Sequence, residues 1–411
     1  MAANYPSFYP QYPNMPPGPP MPLPGPCSGG PGPFPSGQCP PGTCADSIGM
    51  PPQQAMSLAP CPPGLPPPGM GPAPCAPRRS VPTWTVNYII SNRRHFAYRY
   101  DPDLVNPWGI AIDQGQLWVV NDATDSITNY DLFGNKLLGT ISLRDMIHNS
   151  SYPTGIAVNC GGGFPIVGLG SSRTSRIIVP TQHGTIHAFN ADVDPQYARV
   201  VVNPWLGGER AVYKGVAVAC GRLYLADFFQ GRISVFDSTF GRLENFPFID
   251  GDQVVPIPLD YAPFNIVYIG DFLYVLWARK DPVIPIRASE GPGQGFISKF
   301  NLDGSFVCRF HTGGPLNMPW AMCQAPCDCG IPPGSFLVGN HGDGRIHVFD
   351  HCGTYYGPML NQSAIPITIE GLWGLAPYYT PGMNQIFFAA SGDPNAEGIV
   401  GVISKCQVIY C

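Results

Sequence analysis

NPWGIAI at Asn106–Ile112 is a phrase that the chain repeats, with variations, five more times: PTGIAV (Pro153–Val158), YKGVAV (Tyr213–Val218), APFNIVYI (Ala262–Ile269), MPWAM (Met318–Met322) and GLWGLAP (Gly371–Pro377). Successive copies start 47, 60, 49, 56 and 53 residues apart. A repeat of this length, built from short apolar runs, is the signature of a β-propeller with one blade per copy. The expected fold class is therefore all-β, a six-bladed β-propeller.

A second phrase marks the third strand of each blade: SITNYD (Ser126–Asp131), GTIHAFN (Gly184–Asn190), GRISVFD (Gly231–Asp237), GFISKFN (Gly295–Asn301) and GRIHVFD (Gly344–Asp350). Each ends on an aromatic followed by Asp or Asn. The aromatic is expected to pack between blades. The Asp or Asn is expected to bond its own backbone and start a turn. Blade six has only three strand-like runs after Gly371. The missing outer strand is TWTVNYIIS (Thr83–Ser91), whose pairing with the C-terminal run would close the ring and remove an exposed edge.

Composition divides the chain in two. Residues 1–82 hold 27 prolines and three charged residues (Asp46, Arg78 and Arg79). Such a segment buries too little apolar surface to offset its ordering entropy, so it is expected to be disordered or polyproline-II unless bound in an assembly. Residues 83–411 form the propeller. Charged residues are 12% of the chain and the net charge is −5. Charge is thus scarce, about half the usual share, and phosphate neutralisation on a nucleic acid is not expected. No run reaches the roughly 18 apolar residues of a membrane span. The N-terminus has neither the basic nor the apolar region of a secretory signal. Yet there are 14 cysteines, many for a reduced cytosolic protein. A particle assembled in the cytosol and later exposed, such as a virion or spore surface, satisfies both observations; a cytoplasmic location is the alternative.

The stretches LVNPWGIA, AVYKGVAV, YAPFNIVYIGDFLYV, GPGQGF, GPLNMPWAM, SFLVGNHGDGRIHVFD and GLWGLAP resemble a family of NHL-like six-bladed propellers, mostly uncharacterised bacterial secreted proteins. The resemblance covers nearly all of residues 84–404. It implies the fold and assigns no reaction. Asn265 and Ala321 stand where the pattern has glycine.

Propeller topology puts the loop before each innermost strand, and the loop between strands two and three, on one face around the channel mouth. The candidate ligand-binding residues there are Trp108, Trp320, Trp373, Lys214 and His341. The tryptophans occupy equivalent positions in three blades, either as a wall for a sugar or peptide or as packing around the mouth. Asn121, Asp122, Asp227, Asn340 and Asp393 offer oxygens to calcium, a hard cation that takes six to eight of them; the other reading is that they form turns. The insertion RKDPVIPIRASEGPGQ (Arg279–Gln294) reaches the same face as a lid. His341 and His347, six apart across a turn, need not share a zinc ion. No GxSxG elbow, Walker loop or dinucleotide fingerprint is present, so no catalytic residue is assigned.

Cys160 and Cys220 end the innermost strands of adjacent blades and are disulfide candidates, as are Cys327 or Cys329 with Cys352, and Cys406 and Cys411. Free thiols and a zinc cluster at Cys323–Cys329 are the alternatives. The arm holds five cysteines and the propeller nine. Both counts are odd, so full oxidation requires a bond between arm and propeller or between chains. Three functions remain: a non-enzymatic structural or interaction propeller on a particle, anchored to protein partners through residues 1–82; a calcium-dependent hydrolase or lyase; and a carbohydrate- or peptide-binding module.

Overall fold

The structure is a computed structural model and describes residues 82–143, 150–168, 170–326, 329–332, 334–379, 385–392 and 396–406. Each copy of the repeat opens the innermost strand of a four-stranded antiparallel sheet. In blade one the strands are Pro107–Asp113, Gln116–Asn121, Ser126–Asp131 and Ile141–Ser142. The first hairpin turns on Gln114 and Gly115, both at positive φ (49° and 73°). That pair of angles belongs to the two-residue turn whose twist matches its flanking strands, which is why glycine sits there. Blades three, four and five repeat the pattern from Tyr213–Ala219, Tyr261–Ile269 and Pro319–Gln324. Blade two runs from Ala157–Val158 and adds a hairpin, Pro165–Gly168 with Ser171–Thr174, after its first strand.

Blade six carries the closure. Leu372–Tyr378, Gln385–Ala390 and Ile399–Lys405 are joined by Trp84–Ser91, which runs antiparallel to the last of them from Trp84 opposite Lys405 to Ser91 opposite Ile399. The N-terminal strand therefore closes the ring, as its missing partner implied. A further short strand, Arg99–Tyr100, adds in parallel outside it. Trp84 also ties the closure to its neighbour, its Nε1 donating to the carbonyl of Cys329 in blade five at 2.9 Å.

The third-strand aromatics do pack inside: Tyr130, Phe189, Phe236, Phe300 and Phe349 are all buried. The aspartates that follow hold their turns. Asp131 Oδ1 accepts from the N–H groups of Phe133 and Asn135, Asp237 Oδ1 from those of Thr239 and Gly241, and Asp350 Oδ1 from those of Cys352 and Thr354, all at 2.8–2.9 Å.

The repeated glycine has a packing cause. The innermost strands crowd one another around the axis, leaving no room for a side chain. A Cβ at Gly109 would lie 2.8 Å from the Ile156 nitrogen of blade two, and one at Gly374 would lie 2.8 Å from the Trp108 carbonyl oxygen of blade one. At Asn265 the side chain occupies the gap instead. Its Nδ2 donates to the Trp320 carbonyl at 2.6 Å and its Oδ1 accepts from the Ile266 N–H, so the amide bridges blades four and five where glycine would have let them touch.

Candidate functional site

Three innermost strands start on an X-Pro step whose first residue has positive φ: Asn106 (51°), Tyr152 (50°) and Met318 (50°). Their carbonyls accept from the residue just past the second strand of the same blade: Asp122, Gln182 and His341. This repeated latch aims two residues per blade at the channel mouth, and side chains from different blades meet there.

One half of the mouth is aromatic. Trp373 stacks on Trp108 (ring centroids 3.6 Å apart, planes 15° apart) and on its other side lies His341 (3.6 Å, 22°). Trp320 meets both tryptophans edge-on at 6.5 and 5.7 Å. Phe264 and Phe228 continue the cluster. The other half is polar and chained to the first. Lys214 Nζ donates to Gln182 Oε1 (2.6 Å), Gln182 Nε2 to Asp122 Oδ1 (2.8 Å), and Asn106 Nδ2 to Asp122 Oδ2 (3.0 Å). Trp108 Nε1 donates to Asn106 Oδ1 and Trp320 Nε1 to the Lys214 carbonyl. Lys214 Nζ also lies 5.1 Å from the Trp108 ring centre, a cation–π distance. The five candidate ligand-binding residues thus come together. They do so mainly by contacting each other, and the three tryptophans and Lys214 are each no more than 6% exposed.

Burial sets the charges. It pushes the Asp122 carboxyl up to about 7 and the Lys214 ammonium down to about 7, and holds His341 at about 4 and therefore neutral. The two opposed shifts have opposite consequences for stability. Asp122 is raised, so the stability it contributes at low pH is lost as pH climbs through about 7. Lys214 is depressed from an unfolded value of about 10.4, so its stability is present at high pH and lost as pH falls through about 7. Between pH 7 and about 9.5 the folded lysine holds less proton than the unfolded one, and stability rises. Lys214→Met should remove that rise; thermal unfolding of both proteins across this range will show whether the gap between them widens with pH.

The calcium candidates are placed differently. Asn121, Asp227 and Asn340 each end the second strand of their blade. Asn121 Nδ2 donates to Ser126 Oγ and Thr128 Oγ1, Asn340 Nδ2 to the Pro315 carbonyl, and Asp227 Oδ1 accepts from the N–H groups of Val212 and Gln230. Asn121 is held by the third strand of its blade, Asp227 and Asn340 by loop groups, and Asn121 and Asn340 are fully buried. Asp393 lies outside the described residues. Among the described residues no group of three or more His, Cys, Asp or Glu side chains is arranged to hold a metal ion. His347 is separate from His341; its Nδ1 pairs with the Tyr355 hydroxyl at 3.0 Å. The insertion Arg279–Gln294 reaches the mouth: Ala288 packs against the tryptophan cluster, Lys280 Nζ donates to the Phe229 carbonyl of blade three, and the Gly291 N–H donates to Asn317 Oδ1 ahead of blade five.

Gln182 is the member of the network that sequence reasoning left out. Gln182 occupies the same place after the second strand as Asp122 and His341, and aligning blades on that strand would have found it. Cys160 and Cys220 are both disulfide-bonded, Cys220 in the turn after the blade-three innermost strand. The Cys329 carbonyl accepts from Trp84 of blade six, and Cys352 sits in a turn packed on blade four. Cys406 donates its N–H to the Thr83 carbonyl; Cys327 and Cys411 lie outside the described residues.

Uncharacterized protein L690 of Acanthamoeba polyphaga mimivirus is 58% identical over 337 residues, 82% of this chain and 90% of that protein. Uncharacterized protein R648 of the same virus is 57% identical over 82% of this chain and 84% of its own length. The chain belongs to their family. The relatives are viral, where the resemblance in sequence pointed to bacterial secreted proteins. No protein-family model matches the chain. Among solved structures, virginiamycin B lyase from Staphylococcus aureus aligns over 78% of this chain and 99% of its own, with 13% identity and a TM-score of 0.46. Among the described residues, no helix of this mimivirus-family propeller is long and apolar enough to cross a membrane.

Proposed function

We propose that this protein is a non-enzymatic structural or interaction propeller, displayed on the surface of a virus particle and anchored to protein partners through its Pro- and Cys-rich arm. The observation that carries the reading is the state of the channel mouth. A sugar-stacking platform presents an open aromatic face, but here Trp108 and His341 cover the two faces of Trp373. A catalytic lysine or carboxylate faces a space for substrate, but Lys214 and Asp122 are spent on Gln182 and Asn106. The mimivirus relatives and the odd cysteine count of the arm support the particle and the anchor.

The test is extraction from purified particles with and without reductant, followed by intact mass and metal analysis of the released chain. The reading predicts covalent multimers or adducts that reductant dissolves, and no stoichiometric metal. A monomer released without reductant and carrying one tightly held calcium or zinc would overturn it and direct attention to hydrolase and lyase substrates.

A further inference from the structure

We propose that Cys308 and Cys352 are a cross-linking site that joins the outer edge of blade four to blade five. Cys308 lies in the outermost strand of blade four, Phe306–Thr312, opposite Lys299. Lys299 and, two residues before it, Ile297 stand on the same face of the paired strand, and Ile297 packs in one cluster with Phe310, Phe336 and Phe349. That face is turned to blade five: the Phe310 ring lies 5.6 Å from Phe336 and 5.8 Å from Phe349.

Phe349 ends the third strand of blade five, and the chain turns immediately through Asp350 and Cys352. The turn is held, because Asp350 Oδ1 accepts from the N–H groups of Cys352 and Thr354. It is also pressed onto the blade-four strand. A Cβ at Gly353 would lie 1.7 Å from the Phe310 carbonyl oxygen, and His311 Nδ1 hydrogen-bonds the Gly353 carbonyl at 2.9 Å. Cys352 is one residue before that contact and Cys308 two residues before its other side. A disulfide spans roughly 4.4–6.8 Å between Cα atoms, and the proposal places this pair in that range. Cys352 is exposed and Cys308 partly so, which gives an oxidant access.

The chemistry is thiol–disulfide exchange with a small disulfide such as oxidised glutathione. The Cys352 thiolate attacks the donor's S–S bond and expels one glutathione thiolate. The Cys308 thiolate then attacks the mixed disulfide and expels the second. The two thiol protons leave with the two glutathione molecules, the protein dithiol is oxidised, and the donor is reduced. The product would join blades four and five by a covalent bond at the rim.

The experiment uses the full chain equilibrated in a glutathione redox buffer, alkylated, digested without reduction and mapped by mass spectrometry. The expected result is one linked species joining the peptide that holds Cys308 to the peptide that holds Cys352, lighter by two hydrogens than their sum. In the Cys352→Ser variant that species should vanish and Cys308 should become alkylated. The proposal is wrong if both cysteines are alkylated in a buffer that keeps Cys160 and Cys220 bonded. It is equally wrong if either is found linked to a different cysteine.

Discussion

Removing residues 1–91 should abolish the folded ring, whereas removing residues 1–81 should leave it. The difference is one strand. Trp84–Ser91 supplies the outer edge of blade six, pairing along the whole of Ile399–Lys405. It buries Trp84, Ile89 and Ile90. Full burial of a large apolar side chain is worth about 1.5–3 kcal/mol, so these three alone contribute on the order of 5–9 kcal/mol. A domain's net stability is about 5–15 kcal/mol. The loss is therefore comparable with everything that holds the ring, and it comes with an unpaired edge at Ile399–Lys405 that invites aggregation. Size-exclusion chromatography and circular dichroism of the two truncations decide the matter. A monomeric, cooperatively unfolding 92–411 chain would mean that closure is dispensable.

Trp373→Ala is expected to cost about 3–5 kcal/mol, the usual range for deleting a buried tryptophan. The residue is 5% exposed and is the hub of the aromatic cluster, with Trp108 and His341 on its two faces and Trp320 and Phe264 at its edges. Truncation opens a cavity on the propeller axis, where the surrounding strands are already in backbone contact and have little freedom to collapse. Trp373→Phe should be milder for a second reason. The indole N–H of Trp373 has no hydrogen-bond partner among the described residues, so phenylalanine removes a buried unsatisfied donor along with the lost volume. Chemical denaturation measures both, with Tyr98→Ala, 74% exposed, as the silent control. If Trp373→Ala unfolds at the wild-type midpoint, the cluster is not a structural plug, and the aromatic wall for a ligand becomes the better account.

The repeat was readable because it is periodic. Six copies give six blades, and three runs in the last blade require a fourth from the N-terminus. Spacing also puts Trp108, Trp320 and Trp373 at one mouth. Periodicity does not give depth or direction. It could not say that the tryptophans would cover each other's faces, nor that Lys214 would reach Gln182 of the preceding blade. Asn121, Asp227 and Asn340 share a face with the channel mouth by topology, yet their side chains are anchored by neighbouring strand and loop groups. Rotamer and local hydrogen bonding decide that, and neither has a signature in spacing. The hairpin at Pro165–Thr174 interrupts the repeat and the short strand Arg99–Tyr100 precedes its first copy, so the repeat could not announce them.

The particle-surface reading is tested most directly by immunogold electron microscopy of intact virus particles produced in cells that express the chain, using antibody raised against residues 82–406. The account predicts gold on the outer face of unbroken particles. Gold confined to the cytoplasm of infected cells, or reaching particles only after they are broken open, would contradict it.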